Sequence, residues 1–263
     1  MYEEFAEIYD AMMEEIPYEE WFERARKFLE EKNITEGRIC ELGCGTGTMT
    51  ELFAGAGYDM IGVDLSADML AQAVMKSENT GHDILYIQQD MTELELGTAV
   101  DAVISLCDSM NYLIEERDMK ETFLRVYKTL EPGGYFLFDL KTAYCFREVL
   151  GNEVRVEQDE NMTCIWENYF YEEEAVNEYS LTIFRRQPES HLFDRTEEVH
   201  VQRAYEIEEV RQWLAECGFC DIACYAADGR DGAGLCSGRW KSELSKCERV
   251  YFAARRSVME GQV

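Results

Sequence analysis

Between residues 38 and 140 the chain alternates short apolar runs with longer stretches of helical period, and this alternation constrains the fold more than any other feature. Arg38–Leu42, Met60–Val63, Ile84–Gln88, Ala102–Leu106 and Tyr135–Asp139 read as strands. Thr48–Ala56, Ala67–Ser77 and Arg117–Leu130 read as helices between them. Thr48 and Glu51 have capping-box spacing, Gly57 suits a helix C-terminus and Ser66 suits an N-cap. Glu131-Pro132-Gly133-Gly134 stops the third helix. Strands separated by helices of this length form βαβ units, so the expected class is α/β with a mostly parallel sheet.

The flanks differ. Phe5, Ile8, Tyr9, Met12 and Met13 recur at helical spacing, with Pro17 ending that segment, and a second helix near Tyr18–Glu31 carries Trp21, Phe28 and Leu29. From Asn152 to Tyr205 the pattern becomes antiparallel strand: Tyr179, Leu181 and Ile183 alternate with polar residues, as do Val199 and Val201. Glu172-Glu173-Glu174 and Pro188-Glu189-Ser190 read as turns in this β insertion. A helix at Ile207–Glu216, a strand at Phe219–Tyr225, a long loop around Gly229–Gly238 and a last strand at Arg249–Ala254 follow. The expected organisation is a helical segment (1–35), an α/β core (36–150), the insertion (151–205) and a C-terminal completion of the core (206–263).

A chain of 263 residues buries enough apolar surface to need no disulfide or metal staple. Lys and Arg number 25 against 54 Asp and Glu, a net charge of −29. Such a surface repels a phosphate backbone, so nucleic acid is not an expected partner. Ten cysteines, mostly inside apolar runs, and no signal peptide point to a reducing cytoplasm. Cys217-Gly-Phe-Cys220 has C-x-x-C spacing but lacks a second pair or nearby histidines, so no metal is expected, and the pair reads as a helix end and a strand start. No apolar run reaches the ~20 residues of a membrane helix.

The stretch Ile39-Cys40-Glu41-Leu42-Gly43-Cys44-Gly45-Thr46-Gly47-Thr48 lies between the first strand and its helix. Three glycines let the backbone turn tightly and approach a ligand at the carboxyl end of the strand, where open α/β sheets bind ligands. Asp64 ends the second strand, where its carboxylate can take both hydroxyls of a ribose, and Asp90-Met91 follows the third. The nicotinamide fingerprint G-x-G-x-x-G is not met, because position 48 is Thr.

Glu41-x-Gly43-x-Gly45-x-Gly47 with Asp64 and Asp90 resembles the motifs of class I S-adenosylmethionine-dependent methyltransferases. The resemblance implies a Rossmann-like methyltransferase fold with a seven-stranded sheet. It implies S-adenosylmethionine as methyl donor and S-adenosylhomocysteine as product. It places Tyr9, Glu41, Gly43, Cys44, Gly45, Gly47, Asp64, Leu65, Asp90, Met91, Leu106 and Cys107 at the cofactor. Residues 106–113 would line the methyl side, and the segment around Tyr9 resembles the lid helix of bacterial small-molecule methyltransferases. The expected acceptor is a small molecule, an amine among the candidates, held by Tyr112, Trp166, Tyr169 and Tyr171. A hydroxyl acceptor would want a general base, with Tyr112, Asp108 and His200 as candidates, although His82, His191 and His200 sit in contexts that read as surface. The aromatic insertion could also join two copies as a homodimer. A nucleic-acid methyltransferase shares the cofactor site but needs a basic face, and no Asn/Asp-Pro-Pro-aromatic sequence follows the fourth strand. A non-catalytic protein that binds the same cofactor would carry the same motifs.

Overall fold

In the first half of the chain a helix, α1 (Tyr18–Glu31), precedes five strands: β1 (Arg38–Leu42), β2 (Asp59–Asp64), β3 (Leu85–Gln88), β4 (Val100–Ser105) and β5 (Leu130–Lys141). Helices α2 (Thr48–Gly55), α3 (Ala67–Thr80) and α4 (Glu116–Thr129) provide crossovers. A short helical segment, Cys145–Leu150, leads to β6 (Val154–Gln158), β7 (Met162–Tyr171), β8 (Val176–Arg186) and β9 (Phe193–Arg203). Then come α5 (Ile207–Glu216), β10 (Phe219–Ala226) and β11 (Arg249–Arg256). These assignments come from a computed structural model that describes residues 6, 8–10, 12–13, 16–187, 190–226 and 244–258. Phe5, Pro188-Glu189 and the expected loop around Gly229–Gly238 lie outside the described residues.

The seven-stranded sheet has the order β10-β11-β5-β4-β1-β2-β3. β1 pairs in parallel with β2 and β4, and β11 runs antiparallel between β5 and β10. The chain winds one way from β1 to β3 and the other way from β4 onward, so the carboxyl ends of β1 and β4 open a crevice at the switch point. Alternation along β5 sends Phe136 and Phe138 into one core cluster and Leu137 into the other. The rings of Phe136, Phe138 and Phe252 stack at centroid distances of 4.6 and 4.9 Å, tying β5 to β11.

The insertion is a four-stranded antiparallel sheet, β6-β7-β8-β9. Its inner face puts Cys164, Tyr179, Leu181 and Ile183 into a cluster with Ala6, Ile8 and Met69. The insertion therefore meets both the N-terminal segment and α3.

Two local expectations are corrected. Gly47, not Thr48, is the N-cap of α2, and no side chain caps that end. The Glu51 side chain turns instead to the Thr80 hydroxyl and His82 Nδ1, at 2.8 and 2.7 Å. The fifth strand begins at Leu130, and a register shift between Val100 and Ala102 absorbs residues 131–134. Ser66 caps α3 as expected, accepting from the Met69 N–H. Cys217 closes α5 and Cys220 lies in β10, and the nine described cysteines are free thiols.

Candidate active site

The glycine loop leaves β1 and is pinned to β2, because the N–H groups of Gly43 and Cys44 both donate to the Val63 carbonyl, at 2.8 and 3.1 Å. Gly43 has φ +67° and lies so close to Ser109 that a Cβ would stand 2.6 Å from that side chain. Gly45 also takes a positive φ, +54°, but a Cβ there would meet nothing within 4 Å. The loop thus presents bare backbone to open space.

Asp64, at the end of β2, faces the same space. Its Oδ2 accepts from Gly45 N–H and its Oδ1 from Ser66 N–H, each at 2.8 Å. Burial pushes its carboxyl up, while these backbone N–H bonds pull it down. Each oxygen retains acceptor capacity toward the cavity. Asp90 caps the next turn, with Oδ1 accepting from the Thr92 N–H and hydroxyl, both at 2.8 Å. Glu41 is fully enclosed beneath the loop, hydrogen-bonded by the Thr50 hydroxyl, and burial pushes it up to about 8. It therefore holds a proton near neutral pH and orients α2 against the loop.

The N-terminal segment is latched over this loop. Asp10 accepts from the Thr46 hydroxyl at 2.5 Å and pairs with Lys76 at 2.8 Å, and Lys76 also donates to the Thr48 hydroxyl at 2.8 Å. Tyr9, Met12 and Met13 thereby roof the space.

The result is a cavity of about 950 Å³. Every residue placed at the cofactor by sequence, apart from Gly47, lines it: Tyr9, Glu41, Gly43, Cys44, Gly45, Asp64, Leu65, Asp90, Met91, Leu106 and Cys107. Gly47 instead backs the loop against Ala73 and the Tyr86 hydroxyl. Tyr112 and Trp166 line the far end with Tyr179, Leu181 and His200. Tyr169 and Tyr171 do not. Strand alternation turns them to the outer face of β7, 51% and 41% exposed, where their rings pack on each other.

At that far end the rings of Trp166, Tyr179 and His200 stack in a row, with centroids 5.1 and 4.8 Å apart and interplanar angles of 15° and 14°. The register explains the row: Tyr179 is directly opposite His200, and Trp166 is diagonal to Tyr179. The Tyr112 hydroxyl lies 2.7 Å from the Tyr179 hydroxyl and 3.0 Å from His200 Nδ1. His200 is thus a cavity residue, not a surface one. Burial and then the charge of Lys141 push it down to about 4, so the ring is neutral near pH 7. His82 is likewise engaged, with Glu51, whereas His191 is exposed.

Sequence reasoning named Asp108 but missed the two cations, Lys141 and Arg249, that form a charged floor with it. Asp108 follows Cys107, and both take positive φ, 56° and 62°, which is unusual for non-glycine residues and marks a strained turn. The Asp108 carboxylate meets Arg249 at 2.7 Å, Lys141 at 2.9 Å and the Gln202 amide at 2.7 Å. Arg249 also pairs with the buried Asp139 and lies over the Trp21 ring. Burial alone would raise Asp108, but Lys141 and then Arg249 hold it down at about 2. Lys141 and Arg249 are directly paired residues of β5 and β11, so the register delivers both cations to the carboxyl end of β5.

A glycine-backbone cradle, an acidic residue ending β2 and an open cavity at the switch point of a seven-stranded sheet carry the features the motifs implied. The model of a methyltransferase domain matches residues 39–134. The chain belongs to the class I S-adenosylmethionine-dependent methyltransferases. A protein of Geobacillus sp. (strain WCH70) named as a methyltransferase is 38% identical over 97% of this chain and 99% of its own length. The crystal structure of an S-adenosylmethionine-dependent methyltransferase from Clostridium acetobutylicum ATCC 824 superposes with a TM-score of 0.83 at 26% identity, covering 97% of this chain and 99% of that one. A dTDP-3-amino-3,4,6-trideoxy-alpha-D-glucopyranose N,N-dimethyltransferase of Streptomyces venezuelae is 33% identical over 96 residues, 36% of this chain and 39% of its own. Among the described residues no helix is long and apolar enough to cross a membrane.

Proposed function

We propose that the protein methylates a small-molecule amine held between the glycine loop and the insertion. One observation carries this reading: a continuous cavity has the Gly45–Asp64 cradle at one end and the Trp166–Tyr179–His200 row at the other. Its volume is at the upper end of ordinary small-molecule pockets. The N-methyltransferase activity in the name of the Streptomyces venezuelae relative supports an amine.

The residues present fit the cofactor. The cavity face of Gly45 is free of any Cβ, and Asp64 keeps acceptor capacity for ribose hydroxyls. Asp90 and Met91 would border the adenine, with Leu106 and Cys107 along the other wall. When bound, S-adenosylmethionine supplies a methyl group already activated on its sulfonium. The protein's work is placement and exclusion of water, and orientation of this kind removes several kcal/mol from a barrier. Tyr9, Met12 and Met13 would act as the lid.

Asp108 is a poor candidate for general base, because its two cations keep it ionised and weakly basic. It serves as a fixed counter-charge. With the neutral His200 ring protonated at Nε2, its Nδ1 would accept the Tyr112 proton 3.0 Å away, and Tyr112 would accept in turn from Tyr179 at 2.7 Å. The Tyr112 oxygen then has a lone pair left to receive an N–H of the acceptor. A neutral amine needs no base while the new bond forms, and a group of this low basicity suffices to orient it.

A panel of amines screened for S-adenosylhomocysteine release identifies the acceptor. Trp166→Ala should then raise its KM about tenfold, the scale of one lost aromatic contact plus its burial, with affinity for S-adenosylhomocysteine unchanged. An unchanged KM with weakened S-adenosylhomocysteine binding would move the acceptor away from the insertion.

A further inference from the structure

The insertion ends in an open edge. β6 is the outermost strand of its sheet, and all five of its residues are exposed, including Val154 and Val156 at 62% and 59%. β6 carries no proline and no lysine, two of the devices that keep edges apart, and it is short and charged at Arg155 and Glu157.

The direction of its backbone groups follows from two hydrogen bonds. Asn168 N–H donates to the Glu153 carbonyl, and Asp159 N–H to the Met162 carbonyl, at 3.0 and 2.9 Å. In an antiparallel pair, residues bonded to the neighbour alternate with residues whose groups point away. Residues 153, 155, 157 and 159 are therefore bonded to β7. Val154, Val156 and Gln158 direct their N–H and C=O groups to the open side.

A strand with three such residues centred on Val156 is complementary to itself. Turned by a two-fold axis through Val156, a second β6 places Val156 opposite Val156 and Val154 opposite Gln158. These are the outward-facing residues, so each pair can exchange N–H···O=C bonds. The same axis sets Arg155 of one copy opposite Glu157 of the other, twice. Those residues occupy the non-hydrogen-bonded positions of the new ladder, where facing side chains come closest. An axis shifted to Gln158 keeps the backbone parity but loses both charge pairs, and one shifted to Val154 exchanges them for Arg155–Glu153 pairs but shortens the ladder, since Glu153 and Asn152 lie outside β6.

We infer that β6 is a self-pairing edge that joins two copies of this chain into one continuous eight-stranded antiparallel sheet, in the register that sets Arg155 against Glu157 of the other copy. The partner is a second copy because a two-fold interface must be complementary to itself, and this five-residue strand is so in charge and in backbone parity. Another protein strand would match the backbone groups but has no reason to carry the Arg155–Glu157 pattern in reverse. A net charge of −29 opposes close approach of two copies, so the favoured register is the one that combines Arg155–Glu157 pairing with the full length of β6. Five residues per copy are fewer than the roughly 20–30 of a standard interface, so dimer and monomer exchange.

Sedimentation of the full chain over a range of concentrations tests this. The wild type should show a concentration-dependent dimer. Arg155→Glu and Glu157→Arg should each raise the dimer dissociation constant about tenfold or more, since two opposite-charge pairs become like-charge pairs. Mixing the two variants should restore association, because each then supplies what the other lacks. Val156→Pro should remove the dimer, since proline lacks the central N–H. Unchanged circular dichroism and S-adenosylhomocysteine affinity would show that each variant is folded. A wild type that stays monomeric overturns the inference. So does a dimer indifferent to either charge reversal, or single variants that fail to associate on mixing.

Discussion

Replacing Asp64 by Ala should weaken binding of S-adenosylhomocysteine by about a hundredfold while the chain stays folded. Asp64 faces the cavity with both oxygens half-satisfied by Gly45 and Ser66 N–H groups. Hydrogen bonds to a charged acceptor contribute about 1.5–3 kcal/mol each, and two such bonds to a ribose more than account for a hundredfold change. The same substitution frees the Gly45 and Ser66 N–H groups, which border the open cavity and can be rehydrated. The apo protein should therefore melt near the wild-type temperature. Calorimetric titration with S-adenosylhomocysteine measures the first effect and thermal unfolding the second. An affinity loss below about fivefold, or roughly 1 kcal/mol, would place Asp64 outside the cofactor site.

The largest loss of stability is expected at Arg249. Its guanidinium spans Asp108 and Asp139, and Asp139 is fully buried. Arg249→Met keeps the packing against Trp21 but leaves Asp139, among the described residues, with only the Asp108 N–H as a donor, at 3.3 Å from each oxygen. Removing one partner of a buried ion pair costs about 3–5 kcal/mol because the remaining charge is uncompensated. Lys141 still pairs with Asp108, so the deficit falls on Asp139. The double variant Asp139→Asn/Arg249→Met should recover part of the loss. Denaturant unfolding of the wild type, the single and the double variants gives the comparison. A single variant within about 1 kcal/mol of wild type would show that the network carries little stability.

The glycine-loop end of the cavity was legible in the sequence because its determinants are local. Glycine spacing, a strand end at Asp64 and a turn after β3 occupy short stretches, and alternating periods fix the βαβ frame around them. The aromatic end of the cavity was less legible because its determinants are non-local. Aromatic content pointed to β7, but only strand parity separates Trp166, which faces in, from Tyr169 and Tyr171, which face out. Counting in twos from buried Phe170 or Cys164 selects Trp166 and rejects both tyrosines. His200 read as surface because nothing in its own segment shows that Tyr179 lies opposite it. Lys141 and Arg249 were missed because they are 108 residues apart in sequence and are joined only by the pairing of β5 with β11. The available clue was charge: each flanks a strongly apolar strand, and each lies at the end of the sheet that bears the glycine loop.

The most direct test of the account is a crystal structure with S-adenosylhomocysteine bound. The account predicts the ribose against Asp64, the adenine beside Asp90 and Met91, and the amino-acid part along Gly43–Gly45. The product sulfur should face an open space bounded by Tyr112, Trp166, Tyr179 and His200. A cofactor that instead occupies that aromatic end, or leaves no space between its sulfur and Tyr112, would contradict an acceptor site formed by the insertion.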